Sequence, residues 1–456
     1  MPNTPTDTIA AIATPPGSGA LAIVRAGGGG AAAVARAVLG KALPPRRAVL
    51  ARARDSAGDI DQVVSLFFPA ESSPTGEDLV EITCHGSPYI QKRLLKALLE
   101  AGARAAEPGE FTRRSFCNGR MDLAQAEAVC DLIAAGTGAA HRSALSQLEG
   151  GLSRDVDALR APILGLLTHL EACLDHPEED IPPLGPAEAK ARLTGLEAPV
   201  ARLADSFRTG RLLREGPRVC IVGRPNAGKS SLLNALLGCE RAIVCPEPGT
   251  TRDTIEEPCD LDGTPAVLVD TAGLGHDCAC AADAESLRRT QRALRSSDVA
   301  VLVIDGSRPP DARDEAAHRA LREASAEDRR PVLTVLSKAD LAPRAPAAAG
   351  GCRVSVLRGD GMAELRSLLA RTLGGGAGAA CAGGAAVTCA RHHDALRRCL
   401  ARLGEARACV DSRPGCWEEL AARELREALA ALDEITGPAA PDEVLAGIFS
   451  RFCVGK

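Results

Sequence analysis

Gly223-Arg224-Pro225-Asn226-Ala227-Gly228-Lys229-Ser230 decides how this chain is read. An apolar run, Arg218–Val222, leads into it, and a predicted helix, Ser231–Leu237, leaves it. Glycines in such a loop let successive backbone N–H groups turn inward around phosphate oxygens. Lys229 reaches the terminal phosphates and Ser230 offers a hydroxyl to Mg2+. Asn226, Ala227, Gly228, Lys229, Ser230 and Ser231 are therefore expected to hold a nucleoside triphosphate.

Two motifs downstream extend that site. Asp270-Thr271-Ala272-Gly273 closes the apolar run Ala266–Val269. Its aspartate can hold a Mg2+ water, and the Gly273 N–H can sense a γ-phosphate, so Asp270, Thr271, Ala272 and Gly273 join the nucleotide set. Between the motifs lies Pro248-Gly-Thr-Thr-Arg-Asp253, whose Thr250 and Thr251 hydroxyls sit in a loop suited to closing over the nucleotide. Ser230 and Thr251 are the expected Mg2+ ligands.

The base is chosen further along. Ser337-Lys338-Ala339-Asp340 follows the apolar strand Val332–Leu336, where a guanine-nucleotide protein carries Asn-Lys-x-Asp. Asp340 would accept from the guanine ring N–H and exocyclic amine, a pairing adenine cannot offer. The Lys338 stem would cover the base plane, and Ser355, after Val354, would support the guanine carbonyl region. Serine in place of asparagine removes an amide that ties this loop to the phosphate loop and base. One lost neutral hydrogen bond costs about 0.5–1.5 kcal/mol, so weaker binding with guanine preference intact is the expectation.

Strands alternate with helices from Pro217 to about Gly376, which predicts a parallel doubly wound sheet for residues 216–376. Residues 1–120 mix β-like runs (Ile9–Thr14, Leu21–Arg25, Val63–Phe68, Leu79–Thr83) with one clear helix near Tyr89–Ala101, an α+β domain. Gly27–Gly30 reads as a flexible turn. Residues 121–215 are helical: Leu145, Leu148, Leu152, Val156 and Leu159 make one stripe, continued by Ile163, Leu166, Leu167 and Leu170. Helix Ala187–Phe207 follows Pro177–Pro186. After a Gly/Ala linker at 373–386, helices return from Val387 to Leu432, and a short tail, Ile448–Lys456, follows. The fold class is thus multidomain α/β plus α, with a Ras-like P-loop domain inserted into a helical domain of two parts, 121–215 and 377–456.

At 456 residues, 45% hydrophobic and 25% charged, the chain has ample core. The net charge of -5 gives no global basic field, and one Trp, one Tyr and seven Phe leave few platforms for stacking bare bases. Residues 1–120 carry 14 Lys/Arg against 11 Asp/Glu. No uninterrupted apolar run of about 18 residues and no secretory leader argue for a cytoplasmic protein without membrane contact. Seventeen cysteines are scattered, with Cys278 and Cys280 the one tight pair, and are read as reduced thiols rather than disulfides or a metal site. His85 beside Cys84 suggests a pair, yet adjacent strand residues point to opposite faces, so a structural role is expected.

The motifs stand in one order, with flanks that resemble the MnmE (TrmE) family of tRNA-modifying GTPases along nearly the whole chain. Asp7-Thr-Ile-Ala-Ala-Ile-Ala-Thr-Pro-Pro-Gly17 is similar to the family's opening, and Thr75-Gly-Glu-Asp78 with Cys84-His-Gly86 to its next block. Pro108-Gly-Glu-Phe-Thr112, Asn118-Gly-Arg-Met-Asp-Leu-Ala-Gln-Ala-Glu127 and Leu174-Asp-His-Pro-Glu-Glu-Asp-Ile-Pro182 follow. The tail Ile448-Phe-Ser-Arg-Phe-Cys-Val-Gly-Lys456 is the most diagnostic segment, since ordinary translational GTPases lack it.

That resemblance implies an N-terminal domain, residues 1–120, that dimerises and binds 5,10-methylene- or 5-formyl-tetrahydrofolate as one-carbon donor through Arg25, Glu81, Arg120 and Lys456, with the tail folded back to that site. It implies a K+ bound by Asn226 and groups at Cys245, Glu247 and Thr250, replacing an arginine finger. It implies a heterotetramer with the flavoprotein MnmG, which modifies the 5-position of the wobble uridine of tRNA, and a role for Cys453 in that step. Lys229 and Asp283 complete the expected catalytic set. Where the family places a catalytic Glu, this chain has Asp283, with Glu285 two positions later. Its carboxylate falls short by roughly 1.5 Å, which predicts slow or altered hydrolysis. Two other readings stand beside this one: a ribosome-assembly GTPase, and a diverged GTP- and folate-binding scaffold with weak hydrolysis.

Overall fold

Val219–Val222 and Val299–Val303 are apolar at every position, the pattern of strands covered on both faces. The computed structural model describes residues 7–176, 181–224, 226–238, 256–261, 264–270, 294, 297–309, 321, 330–341, 351–374, 386–412, 416–437 and 441–456. The chain forms two compact units. One comprises Met1–Cys130, Gln147–Glu197 and Arg398–Lys456, the other Asp131–Ser146 and Ala198–Arg397.

The first unit holds β1 (Ile9–Ile12), β2 (Leu21–Gly27), α1 (Ala31–Leu39), β3 (Val49–Asp55), β4 (Gly58–Phe68), β5 (Leu79–His85), α2 (Pro88–Glu100), β6 (Arg104–Ala105) and α3 (Glu110–Cys117). The sheet order is β3-β4-β5-β2-β1-β6, with β1 and β6 parallel and the other pairs antiparallel. Ala22, Val24, Ala26, Val80, Ile82 and Cys84 alternate onto one face and pack with α1 and α2. Arg25 and Glu81, cross-strand partners, lie on the other face. His85 is exposed and pairs with Asp61 at 2.8 Å while Cys84 is buried, as strand alternation predicts.

The Gly27–Gly30 segment is not the flexible turn expected. Gly28 donates to Asp78 O at 2.9 Å and has φ +115°, and a Cβ there would meet Asp7 O at 2.5 Å. Gly30 donates to Thr8 Oγ1 and caps α1, a helix the glycine run hid.

The helices of this unit are α4 (Leu123–Ala134), which begins in it, α6 (Gly151–Asp175), α7 (Pro186–Asp205), most of which belongs to it, α12 (Trp417–Thr436) and α13 (Asp442–Phe449). The apolar stripe does not run on one helix. Gly150, at φ +78°, separates α6 from α5 (Gly138–Leu148), and Leu145 on α5 is exposed while Leu152, Val156, Ile163, Leu166, Leu167 and Leu170 on α6 are buried. Helix α6, before the α/β segment, packs along α12, after it. Arg160–Asp433 at 2.7 Å pins the pair.

Helix α7 matches the helix expected at 187–207, and in the second unit a further short helix that the sequence did not mark, α8 (Phe207–Glu215), follows it. Then come β7 (Arg218–Gly223), α9 (Lys229–Leu237), β8 (Glu256–Leu261), β9 (Thr264–Asp270), β10 (Val299–Asp305), β11 (Val332–Ser337), β12 (Cys352–Arg353), α10 (Met362–Gly374) and α11 (Ala390–Ser412), the last continuing beyond this unit. The sheet order is β12-β11-β10-β7-β9-β8, parallel except for β8. Val219, Ile221, Val301 and Val303 pack toward Leu232 and Leu236 of α9 and Leu365 and Leu369 of α10. Cys220, Val222, Ala300 and Leu302 face the opposite side with Leu294 and Leu321. This is the doubly wound sheet expected, and its parallel strands deliver the loops after β7, β10, β11 and β12 to one edge.

Candidate functional site

Helix α9 begins at Lys229, two residues earlier than the sequence suggested, so the phosphate-loop lysine is its first residue. The loop needs unusual backbone. Gly223 has φ +153°, and a Cβ there would meet Val303 O at 2.4 Å. Asn226 has φ +63° and Gly228, the helix cap, φ +93°. Lys229 is only 8% exposed, and its Nζ donates to Arg224 O at 2.8 Å across the loop. Asn226, Ser230 and Ser231 are exposed and Ala227 is buried. The N-terminal turn of a helix and a confined ammonium make a seat for phosphate.

Asp270 ends β9 beside Ile221 of β7, so its backbone lies next to the loop. Thr250, Thr251, Thr271, Ala272, Gly273, Cys245, Glu247 and Asp283 lie outside the described residues.

The base loop is laced to its neighbours. Ser337, buried at the end of β11, lies with Oγ 2.6 Å from Ala227 O and 3.1 Å from Ile304 O. The tie between base loop and phosphate loop, expected to be lost with the asparagine, is kept by a hydroxyl. Its single proton serves the nearer carbonyl. Lys338, at φ +58°, pairs through Nζ with Asp305 Oδ2 at 2.7 Å. Asp305 Oδ1 accepts from Ser307 N at 3.0 Å and Oγ at 2.6 Å. Burial pushes the Asp305 carboxyl up, but Lys338 and the Ser307 donors outweigh it and hold it below its ordinary value.

Asp340 accepts from Ser355 Oγ at 2.8 Å, and Ser355 Oγ accepts from Arg358 N at 3.2 Å. That hydroxyl and the residue's own backbone amide lower the Asp340 pKa, so it presents an anionic edge. The fully buried Ser355 hydroxyl is thus committed to orienting Asp340. Ala339 N donates to Val354 O at 3.1 Å. Asp305 and Ser307 were not singled out in the sequence, although an acid closing an apolar strand, as Asp270 does, was the available signal.

In the first unit, Arg25 Nη2 meets Glu81 Oε1 at 2.7 Å and Nη1 donates to Gly455 O at 3.0 Å. The guanidinium carbon lies 5.6 Å from the Phe111 ring centroid. Arg25 Nε is buried with no hydrogen-bond partner among the described residues. The tail does fold onto this sheet: Pro108 bridges Val454, and Phe111 N donates to Lys456 O at 3.1 Å. Lys456 is half-buried and Cys453 exposed. Arg120 is engaged by Ala70 O and Glu71 O, each at 2.7 Å, rather than by Arg25 or Glu81. Phe111 and Gly455 are members of the site that the sequence did not single out.

Helix α3 carries a charge cluster centred on the buried Glu110 and Arg114. Arg114, 1% exposed, pairs with Glu110 at 2.9 Å, Glu77 at 3.0 Å and Asp7 at 2.7 Å, and Arg104 pairs with Glu110 at 2.6 Å. Burial pushes the Glu110 carboxyl up, but Arg104, the Glu107 amide and Arg114 outweigh it and bring the carboxyl down to about 2. No helix among the described residues is long and apolar enough to cross a membrane.

Residues 123–453 match the family described as the MnmE helical domain, and residues 8–120 match that described as the GTP-binding protein TrmE N-terminus. The tRNA modification GTPase MnmE of Chlorobium phaeovibrioides is 42% identical over 472 residues, covering 99% of this chain and 98% of that one. The protein of the same name from Azoarcus sp. is 43% identical over 462 residues, with 99% and 98% coverage. That from Xanthomonas campestris pv. campestris is 43% identical over 461 residues, covering 100% of both chains.

Proposed function

The chain belongs to the family of the tRNA modification GTPase MnmE, and from that membership we propose that it hydrolyses GTP in the service of tRNA modification. The observation that supports this most directly is that one loop holds an anionic Asp340 edge, oriented by Ser355, and is tied to the phosphate loop by the Ser337 hydroxyl on Ala227 O. A guanine edge and a triphosphate are then met by one set of loops.

In this reading Asn226, Ala227, Gly228, Lys229, Ser230 and Ser231 hold the phosphates, with Thr250, Thr251, Asp270, Thr271, Ala272 and Gly273 around the γ-position. Ser337, Lys338, Asp340 and Ser355 form the base pocket. Ser230, exposed on the first turn of α9, fits a Mg2+ ligand and would share the ion with Thr251. Mg2+, when bound, neutralises the β- and γ-phosphate oxygens. Asn226, exposed in the loop, with Cys245, Glu247 and Thr250, would hold a K+ placed opposite charge that develops at the leaving phosphate. Lys229 binds the terminal phosphates, and Asp283 orients the attacking water with a shorter reach than glutamate.

The first unit would bind a tetrahydrofolate one-carbon donor. The buried, unpartnered Arg25 Nε beside Glu81 suits a polar pterin or carboxylate ligand, with Lys456 and Arg120 as further contacts. Cys453, exposed on the docked tail, would take part in the modification step. The assembly is a homodimer through residues 1–120 with a flavoprotein of the MnmG type, acting at the 5-position of a wobble uridine. Residues 121–215 and 377–456 form the helical domain that carries the G domain, 216–376.

The test has two arms: GTP turnover by the purified chain with Mg2+ in K+ against Na+, and nucleoside analysis of tRNA from cells lacking the protein. Faster turnover in K+ and loss of modified wobble uridine are expected. Unchanged uridines would defeat the tRNA role and leave a ribosome-assembly switch. Intact GTP binding with negligible turnover in both salts would favour the weakly hydrolysing scaffold.

A further inference from the structure

Asp305 is the last residue of β10, in register with Ser337 of β11, so it stands at the edge where the base loop begins. It is 9% exposed, and each of its oxygens has an assigned partner. Oδ1 takes both donors of Ser307, fixing the carboxylate to its own turn. Oδ2 is left for one cation, the Lys338 ammonium at 2.7 Å. Gly306 N also donates to Ser337 O at 3.0 Å, and a Cβ at Gly306 would meet that oxygen at 2.8 Å, so the two loops are in direct contact.

Lys338 has a feature that calls for an anchor. Its φ of +58° places a residue with a Cβ in the left-handed region, which is unfavourable unless surrounding contacts hold it. A lysine side chain also has four rotatable bonds, whose freedom is lost when it is laid along a base. An ion pair at its far end settles both matters before any ligand arrives.

Resting on the guanine-site reading given above, we propose that Asp305 is a positioning residue for nucleotide binding: it acts through Lys338, holding that side chain extended so that its stem receives the purine plane. Asp340 selects guanine; Asp305 and Lys338 set how tightly any purine nucleotide is held. The pair touches neither the γ-phosphate nor the attacking water, so GTP and GDP benefit equally.

The test is titration of the full-length chain with GTP, GDP and ATP, alongside steady-state turnover, for wild type, Asp305→Asn, Lys338→Met and the double variant. Asparagine keeps an acceptor for Ser307 while removing the charge that holds Lys338. Asp305→Asn is expected to weaken GTP and GDP binding alike by about tenfold, the share of side-chain ordering no longer met in advance. KM should rise more than kcat falls, and the GTP-over-ATP ratio should hold. The double variant should bind as Lys338→Met does. Wild-type affinity in Asp305→Asn, or a further loss when it is added to Lys338→Met, would overturn the proposal, the latter showing a role in the turn alone. Should Asp305→Asn fail to fold, Asp305→Glu keeps the charge and displaces it by one methylene; a smaller but equal loss for GTP and GDP is expected, and no loss overturns the idea. If wild type itself shows no preference for GTP over ATP, the guanine-site reading is what fails.

Discussion

The hydroxyl of Ser337 lies 2.6 Å from the carbonyl oxygen of Ala227, joining the base loop to the phosphate loop across 110 residues of chain. A serine does here, with one proton, what a longer amide was expected to do. Removing the hydroxyl leaves a buried carbonyl unpaired, a loss of about 1 kcal/mol. Ser337→Ala should therefore weaken GTP and GDP binding by about fivefold, read by calorimetry. Wild-type affinity in that variant would show that the tie carries no energy.

In the proposed reading, base choice turns on Asp340. It is a carboxylate acceptor at neutral pH, and Ser355 Oγ, donating to it, further favours the charged form and fixes which way it faces. Asp340→Asn should reduce GTP affinity by about 30-fold, the worth of a charge-assisted bond, and raise affinity for xanthosine triphosphate, whose 2-oxo group accepts from the new amide. Competition between the two nucleotides measures it; an unaltered order of preference would remove Asp340 from base recognition.

Tail docking depends on a glycine. Gly455 has φ +96°, and a Cβ there would sit 2.3 Å from Ile12 O, so alanine cannot occupy the seat. Gly455→Ala should free the tail, breaking the Arg25–Gly455 and Phe111–Lys456 hydrogen bonds. Faster hydrogen exchange at the Phe111 amide and about tenfold weaker binding of 5-formyl-tetrahydrofolate are expected, the latter from loss of a preset guanidinium. Unchanged exchange at Phe111 would mean the tail tolerates the substitution.

The charge cluster on α3 makes an acid-lability prediction. The Glu110 carboxyl is depressed to about 2 in the folded chain, so its contribution is full above the unfolded carboxylate pKa and is lost as pH falls from about 4.5 toward 2. That contribution is roughly 3 kcal/mol. Thermal melts between pH 5 and pH 2 should show a steep loss of stability that Glu110→Gln flattens. Parallel pH profiles for the two proteins would contradict the assignment.

A phosphate-binding loop is local: its glycines, Lys229 and Ser230 lie within eight consecutive residues and must follow a strand and open a helix, so spacing alone identifies it. Apolar runs such as Val299–Val303 likewise declare strands buried on both faces. Contrast was what failed elsewhere. Helix α1 is almost all Ala, Val and Arg behind four glycines, and the Leu145–Leu159 stripe passes Gly150 without any change in its spacing. The partners of Ser337 and Lys338, and the bond from Arg25 to Gly455, belonged to tertiary structure alone. β10 must lie between β7 and β11 before Asp305 and Ala227 can both approach the base loop, and the tail must return to the N-terminal sheet before Gly455 can accept from Arg25. Such neighbours are set by which strands pair and which segments close long loops, a choice made by the whole buried surface and written in no single stretch of the chain.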